Sequence, residues 1–242
     1  MIIDLLCAFS LLTILPIPSR WLDAQRAPAR AMAAYPLVGL ALGVVLTLIS
    51  TLLQAVLSSL IVAALIVAIW ALLTGGLHLD GWADCCDALP ATVSRERRLE
   101  ILKDPRLGSF GGLGLILLLL VKFAAISALP HASAALILAP TLGRWAIVNS
   151  AAMFPLARPD GMAAHFRAGL GQRELTWAAL TAAVLSGLVG GTGLLAFVAA
   201  AIAAFTFGRW ATLRLGGVTG DVYGATCEWV ETVVLVLAGL QL

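Results

Sequence analysis

Charge is what this chain lacks. Only 12% of its 242 residues are Asp, Glu, Lys or Arg, against 61% hydrophobic, and the mean hydropathy is +1.02. So few charges cannot cover a soluble domain of this length, so the composition excludes one and points to a polytopic membrane protein. Cysteine is sparse and unpatterned: Cys7, Cys85, Cys86 and Cys227 have neither C-x-x-C spacing nor a histidine partner pattern. A zinc site or a disulfide framework is therefore excluded as the organising principle. Adjacent Cys85 and Cys86 are read as small apolar fillers. A basic stretch before the first apolar run is also missing, with Asp4 in its place, so no cleavable signal peptide is expected. His78, His131 and His165 share no spacing, and His131 falls in an outer turn.

Apolar runs are abundant instead. Residues 34–55, 60–77, 110–129, 133–152, 174–189 and 194–211 are each read as a full crossing, paired into three helical hairpins. Two shorter runs, 5–18 and 229–242, are read as short, tilted or re-entrant helices at the termini. The expected fold is thus an all-α polytopic membrane protein, one catalytic domain over residues 1–242, with about six full transmembrane helices. Each hairpin returns the polar segments 16–33, 78–109, 153–173 and 212–228 to one side. Arg20, Arg26 and Arg30 lie in the first of them, and the opposite turns carry no Lys or Arg. The excess of basic residues places the polar loops in the cytoplasm. Trp21, Trp82, Trp177 and Trp210 stand near span boundaries, where indoles anchor at the interface.

The scarce charges are concentrated. Residues 74–112 hold eleven of them. Asp80, Asp84 and Asp87 are spaced by four and three, which places them within about 60° of one another on a helix. Like charges stacked this way repel and call for a cation, and an all-oxygen donor set suits a hard ion such as Mg2+. Glu100 and Asp104 follow one turn apart, with Lys103 and Arg106 beside them and Arg95, Arg97 and Arg98 upstream. Fixed positive charge of this kind suits a phosphate or diphosphate. A plainer account of the Arg and Glu run is a solvated, salt-bridged helix surface.

A second acidic group comes late, in GGVTGDVYGATCEWVE. Asp221 and Glu228 are seven apart on one helical face, amid glycines that permit close approach. On the same side as the first group, it is read as the other half of one metal-holding site. Lys122 and Arg144 stand inside the second hairpin, where a buried cation costs roughly 2.5 to 3.5 kcal/mol and needs a partner or a role. Arg144 is read as able to snorkel to the interface, Lys122 as needing an internal partner or cavity.

These blocks, GGLHLDGWADCCDAL, RRLEILKDPRLGSFGGLGL, APTLGR and GGVTGDVYGATCE, resemble the adenosylcobinamide-GDP ribazoletransferase, or cobalamin synthase, family. LLTILPIP and AAYPLVGLALG fit it as well, so the likeness runs from residue 9 to 231. The chain departs at Ala88, where the family usually shows Gly, and at Pro105, where Ser is usual. The resemblance implies a Mg2+-dependent membrane enzyme that joins α-ribazole, or its 5′-phosphate, to adenosylcobinamide-GDP and releases GMP. The catalytic candidates are Asp80, Asp84, Asp87, Asp104 and Asp221. Substrate binding is expected from His78, Arg98, Glu100, Lys103, Arg106, Arg144 and Glu228, and metal binding from Asp80, Asp84, Asp87, Asp221 and Glu228. The implied setting is a bacterial or archaeal cell (inner) membrane with the site facing the cytoplasm. No nucleic-acid partner is implied, and a homo-oligomer or assembly with other cobalamin-assembly enzymes stays open.

Two other classes compete. A CDP-alcohol phosphotransferase or an intramembrane prenyltransferase also uses clustered aspartates with Mg2+, but the former opens with D-x2-D-G-x2-A-R, which Asp80, Gly81 and Asp84 do not fit. A transporter would line its path with Lys122 and Arg144 and would show broken mid-membrane helices.

Overall fold

The computed structural model describes residues 2–22, 28–129 and 134–240. The Asp23 and Arg26 part of the first connector, the outer turn around His131 and the last two residues of the 229–242 run lie outside the described residues. Twelve α-helices make up the described chain: α1 (Ile2–Leu12), α2 (Ala29–Met32), α3 (Tyr35–Gln54), α4 (Ser59–Leu73), α5 (Leu77–Ala88) and α6 (Arg95–Ile101), then α7 (Ser109–Ala128), α8 (Ala135–Met153), α9 (Met162–Arg167), α10 (Gln172–Leu188), α11 (Gly191–Leu215) and α12 (Gly220–Ala238). This is an all-α polytopic membrane protein, its six expected spans appearing as α3, α4, α7, α8, α10 and α11 within a few residues of their expected limits.

Not all six cross alone. Among the described residues α3, α7 and α11 are each long and apolar enough to span a bilayer. Helix α4 has 15 residues and meets α5 at 94°, a bent pair that makes at most a fourth crossing. The bend falls on Gly75 and Gly76, with φ of 61° and 68°, left-handed values that a side chain would resist. Helix α8 contains Pro140 and Arg144, and α10 has 17 residues, and neither is long and apolar enough to span a bilayer alone.

Lipid-facing and core-facing helices are told apart by where their large side chains go. Leu48 and Leu52 of α3, Ile116 and Leu120 of α7, and Val198 and Ile202 of α11 are exposed, as a hydrocarbon surround permits. Helices α8 and α12 are instead buried on nearly every side and form the centre. Gly43 of α3 lets that helix lie on α8, since a Cβ there would sit 2.5 Å from the Cα of Ile137.

Helix α12 corrects the sequence reading. The segment 212–228 is not a loop: α11 runs on to Leu215, Gly216 ends it with φ of 76°, and α12 begins four residues later. The hydroxyl of Thr219 caps α12 by accepting from the Val222 amide at 3.4 Å. What was expected as a short terminal run is the inner helix of the bundle. Trp82 also differs from expectation: its indole donates to the Gly114 carbonyl at 3.0 Å and stacks on Trp229, joining α5 to α7 and α12.

Candidate active site

Helix α5 carries the first acidic group across the start of α12. The crossing is close because both helices present glycine. A Cβ on Gly81 would lie 2.6 Å from the carbonyl oxygen of Asp221, and one on Gly224 would lie 3.2 Å from the Cα of His78. This contact brings Asp221, in the first turn of α12, beside Asp80 and Asp84. Asp80 is exposed and Asp84 and Asp221 are half-buried. The negative fields of Asp80, Asp221 and Asp87 all fall on Asp84, and that of Asp80 falls on Asp221. The Thr219 hydroxyl donates to Asp221 at 3.1 Å.

Asp87 points elsewhere. Its carboxylate accepts the backbone amides of Gly108 and Gly111, each at 2.8 Å. It thereby caps α7 from a distance, satisfying amides that no local side chain reaches. Glu228 also departs from the expected group. It lies deep in α12, where it accepts from Lys122 of α7 at 2.5 Å. The same ammonium donates to Glu231 at 2.5 Å and sits 4.6 Å from the centre of the Trp70 ring. Glu231 in turn accepts from Arg144 of α8. Arg144 does not snorkel: it is fully buried, so its partner is internal and it is closed to a substrate. Two cations and two anions from three helices form a charge-balanced cluster, and Glu231 is a member the sequence reading missed.

The basic run also divides. Arg98 is buried and donates to the Ala91 carbonyl at 2.7 Å. Arg95 donates to Leu215 at 2.6 Å and Ala157 at 2.8 Å, and Arg214 donates to Leu89 at 2.8 Å. These guanidinium groups bind the polar loops together, which corrects the expectation that Arg98 faces substrate. Glu100 pairs with Arg97 at 2.8 Å on the exposed face of α6. Asp104 is gripped by Arg106 through Nε at 2.9 Å and Nη2 at 2.7 Å. That bidentate pair draws the Asp104 carboxyl from 3.8 down to about 2. Its neighbours are Arg106 and Arg97, not the α5 carboxylates. Lys103 is exposed.

A cation that the sequence reading passed over comes closer. The segment before α9 pairs with the segment before α12: Ala157 donates to the Val218 carbonyl at 3.0 Å and Val218 to the Pro155 carbonyl at 2.8 Å. The next residue, Arg158, is thereby held within electrostatic reach of Asp221. It is half-buried and makes no hydrogen bond or ion pair among the described residues. Only its place beside Val218 gives it away, and that pairing spans some sixty residues of sequence.

Among the described residues, no three His, Cys, Asp or Glu side chains form a ready-made metal cage. The donor set still suits Mg2+. That ion keeps several waters and takes one or two carboxylates together with substrate phosphate oxygens, so an open, all-oxygen face is its usual protein site. Asp80, Asp84 and Asp221 offer such a face, whereas Asp87 and Glu228 are already engaged.

Comparison with known proteins shows the family. The family model described as cobalamin-5-phosphate synthase matches residues 4–239. An adenosylcobinamide-GDP ribazoletransferase of Roseiflexus sp. is 37% identical over 230 residues, covering 94% of this chain and 86% of its own. The protein of the same name from Stutzerimonas stutzeri is 41% identical, covering 99% of this chain and 98% of its own. No solved structure matches the chain.

Proposed function

Because this chain belongs to the cobalamin-5-phosphate synthase family, we propose that it transfers the adenosylcobinamide-phosphate group of adenosylcobinamide-GDP to α-ribazole or its 5′-phosphate, releasing GMP. The chain is an enzyme, a transferase of cobalamin biosynthesis. The observation that carries the substrate-level reading is the crossing at Gly81, which sets Asp221 beside Asp80 and Asp84 at the polar-loop end of the bundle. In the reaction a ribose hydroxyl attacks the phosphorus attached to cobinamide. The new P–O bond forms as the bond to the bridging oxygen breaks, and the departing phosphate leaves with GMP. Asp80, Asp84 and Asp221 are the residues that would hold Mg2+, which would neutralise the diphosphate charge. A carboxylate of the group not engaged with it accepts the hydroxyl proton. Arg158 adds a fixed positive charge for the diphosphate, the part expected from the sequence of Arg95, Arg97, Arg98, Lys103 and Arg106.

The site faces the cytoplasm of a bacterial or archaeal cell (inner) membrane, on the argument that the outer turns carry no Lys or Arg. The transporter alternative has little support, because Lys122 and Arg144 are engaged with Glu228 and Glu231 and do not line a path. The test is purified protein with both substrates and Mg2+, read by mass spectrometry. Cobalamin (or its 5′-phosphate) and GMP should appear together. Their absence, with the protein folded, refutes the assignment.

A further inference from the structure

A cavity of about 220 Å³ opens between α1, the α2–α3 segment and the start of α10. Charges of both signs line it: Arg30 and Arg173 with Asp4 and Glu174, beside the apolar side chains of Leu37 and Trp177. Opposite charges around so small a space would ordinarily pair with one another. Here the cations do not, since the side chains of Arg30 and Arg173 make no ion pair or hydrogen bond among the described residues. Glu174 is only 8% exposed, and among those residues its carboxylate accepts just the Gly171 amide, at 3.2 Å. A carboxylate has lone pairs for about four donors, so a buried one with a single neutral donor is poorly compensated. Two unpaired cations and an under-satisfied buried acid on one cavity point to a ligand that carries both signs of charge. The depth of the cavity narrows the choice. Arg30 belongs to the basic connector and Arg173 opens α10, where the polar loops are expected to meet the membrane. Trp177 is exposed one turn further along, and Leu180, Val184 and Leu188 continue its face down α10 as one exposed apolar stripe.

We propose that this cavity binds the headgroup of a zwitterionic phospholipid that carries a primary ammonium, of the phosphatidylethanolamine type. Arg30 and Arg173 take the phosphate, Glu174 and Asp4 take the ammonium, and the acyl chains follow the stripe from Trp177 to Leu188 into the bilayer. Charge complementarity selects this occupant. An anionic headgroup with no cation would set its phosphate against Glu174 and Asp4 with nothing to offset the repulsion. A quaternary ammonium has no N–H to donate to the buried carboxylate, so a choline headgroup leaves Glu174 as it is. A soluble phosphoethanolamine matches the same four charges but leaves the apolar stripe beside them uncovered. Lipid held in this way ties α1 and α2 to the start of α10, and the inference stands apart from the transfer reaction proposed above.

Thermal unfolding of the full-length, delipidated protein in detergent tests this. Dilauroyl phosphatidylethanolamine added to the micelles should raise the unfolding temperature by about 5 °C, because a ligand of the folded state stabilises it. Phosphatidylcholine and phosphatidylglycerol with the same chains should give less than about half that rise, and glycerophosphoethanolamine, which has no chains, should give none. The double variant Arg30→Ala, Arg173→Ala should lose the phosphatidylethanolamine shift. Each variant is compared with its own lipid-free preparation, so a change in basal stability does not enter. Glu174→Gln should erase the advantage of phosphatidylethanolamine over phosphatidylglycerol, a change of preference that a merely structural role would not produce. Equal shifts from all three lipids in the wild type, or an undiminished shift in the double variant, would overturn the site. A shift from glycerophosphoethanolamine as large as that from the lipid would overturn the lipid and leave a soluble ligand in its place. Both arginines are exposed, and should the double variant still not fold, Arg173→Gln decides alone.

Discussion

The backbone of Asp221 lies against Gly81, so close that a methyl group at position 81 would come within 2.6 Å of the Asp221 carbonyl oxygen. Helix α5 can cross the start of α12 at that depth only because position 81 has no side chain. The crossing sets Asp221 beside Asp80 and Asp84, so the geometry of the acidic face depends on one missing carbon. Gly81→Ala should cost about 1–3 kcal/mol through overpacking and should lower turnover more than that loss of stability explains. Thermal unfolding and kcat, measured on the same preparation, separate the two effects. Wild-type turnover in this variant would mean that the acids do not need the crossing.

The four aspartates should not respond alike. Asp80→Asn, Asp84→Asn and Asp221→Asn should each reduce kcat by at least about 10²-fold, the scale for losing one preorganised electrostatic element. Asp87 accepts two amides of α7, so Asp87→Asn should appear first as a stability loss of about 1 kcal/mol. Arg158→Ala should raise the KM for adenosylcobinamide-GDP with the nucleoside KM unmoved. A 10²-fold fall in kcat at Asp87 with unchanged stability would return that residue to the chemistry.

Asp104 offers a test through pH. A general base works best with a pKa near the working pH, whereas the Arg106 pair holds this carboxyl at about 2. The folded value lies below the ordinary 3.8. The pairing therefore contributes fully above about pH 4 and is lost only as pH falls through 2. Across pH 5–9 the group does not titrate. Asp104→Asn should leave the pH–rate profile superimposable on the wild type and kcat within about threefold, since an exposed pair contributes little. A lost acidic limb in the variant would show that Asp104 handles the proton.

The acids on α5 were legible because their spacing is local: four and three residues fix one face whatever the rest of the chain does. The hairpins were legible for a similar reason, as hydropathy is summed within each run. Helix α12 was not, because Glu228 and Glu231 break its apolar pattern and hide its continuity from Gly220 to Ala238. The charges that restore it, Lys122 and Arg144, are more than 80 residues away. Asp87 and Arg98 failed in the same way. Their partners are backbone amides and carbonyls, which no sequence pattern marks.

The buried cluster yields the last prediction. Glu228 and Glu231 are three residues apart on one face of α12 and both are buried, so without cations they repel in the interior of the bundle. Lys122 touches both at 2.5 Å, and Arg144 takes the far oxygen of Glu231. Removing one member leaves an uncompensated charge, a loss of about 3–5 kcal/mol. Lys122→Met should therefore lower the unfolding temperature in detergent by on the order of 10 °C. Glu228→Gln added to it removes the stranded anion and should recover most of that loss, because a neutral pair no longer carries the cost of burying a charge. The double variant should also keep measurable turnover, since neither residue belongs to the Asp80, Asp84 and Asp221 face. If the double variant is no more stable than Lys122→Met alone, the two residues do not act as a pair. If it is equally stable but inactive, the cluster reaches the chemistry by a route other than holding α7, α8 and α12 together.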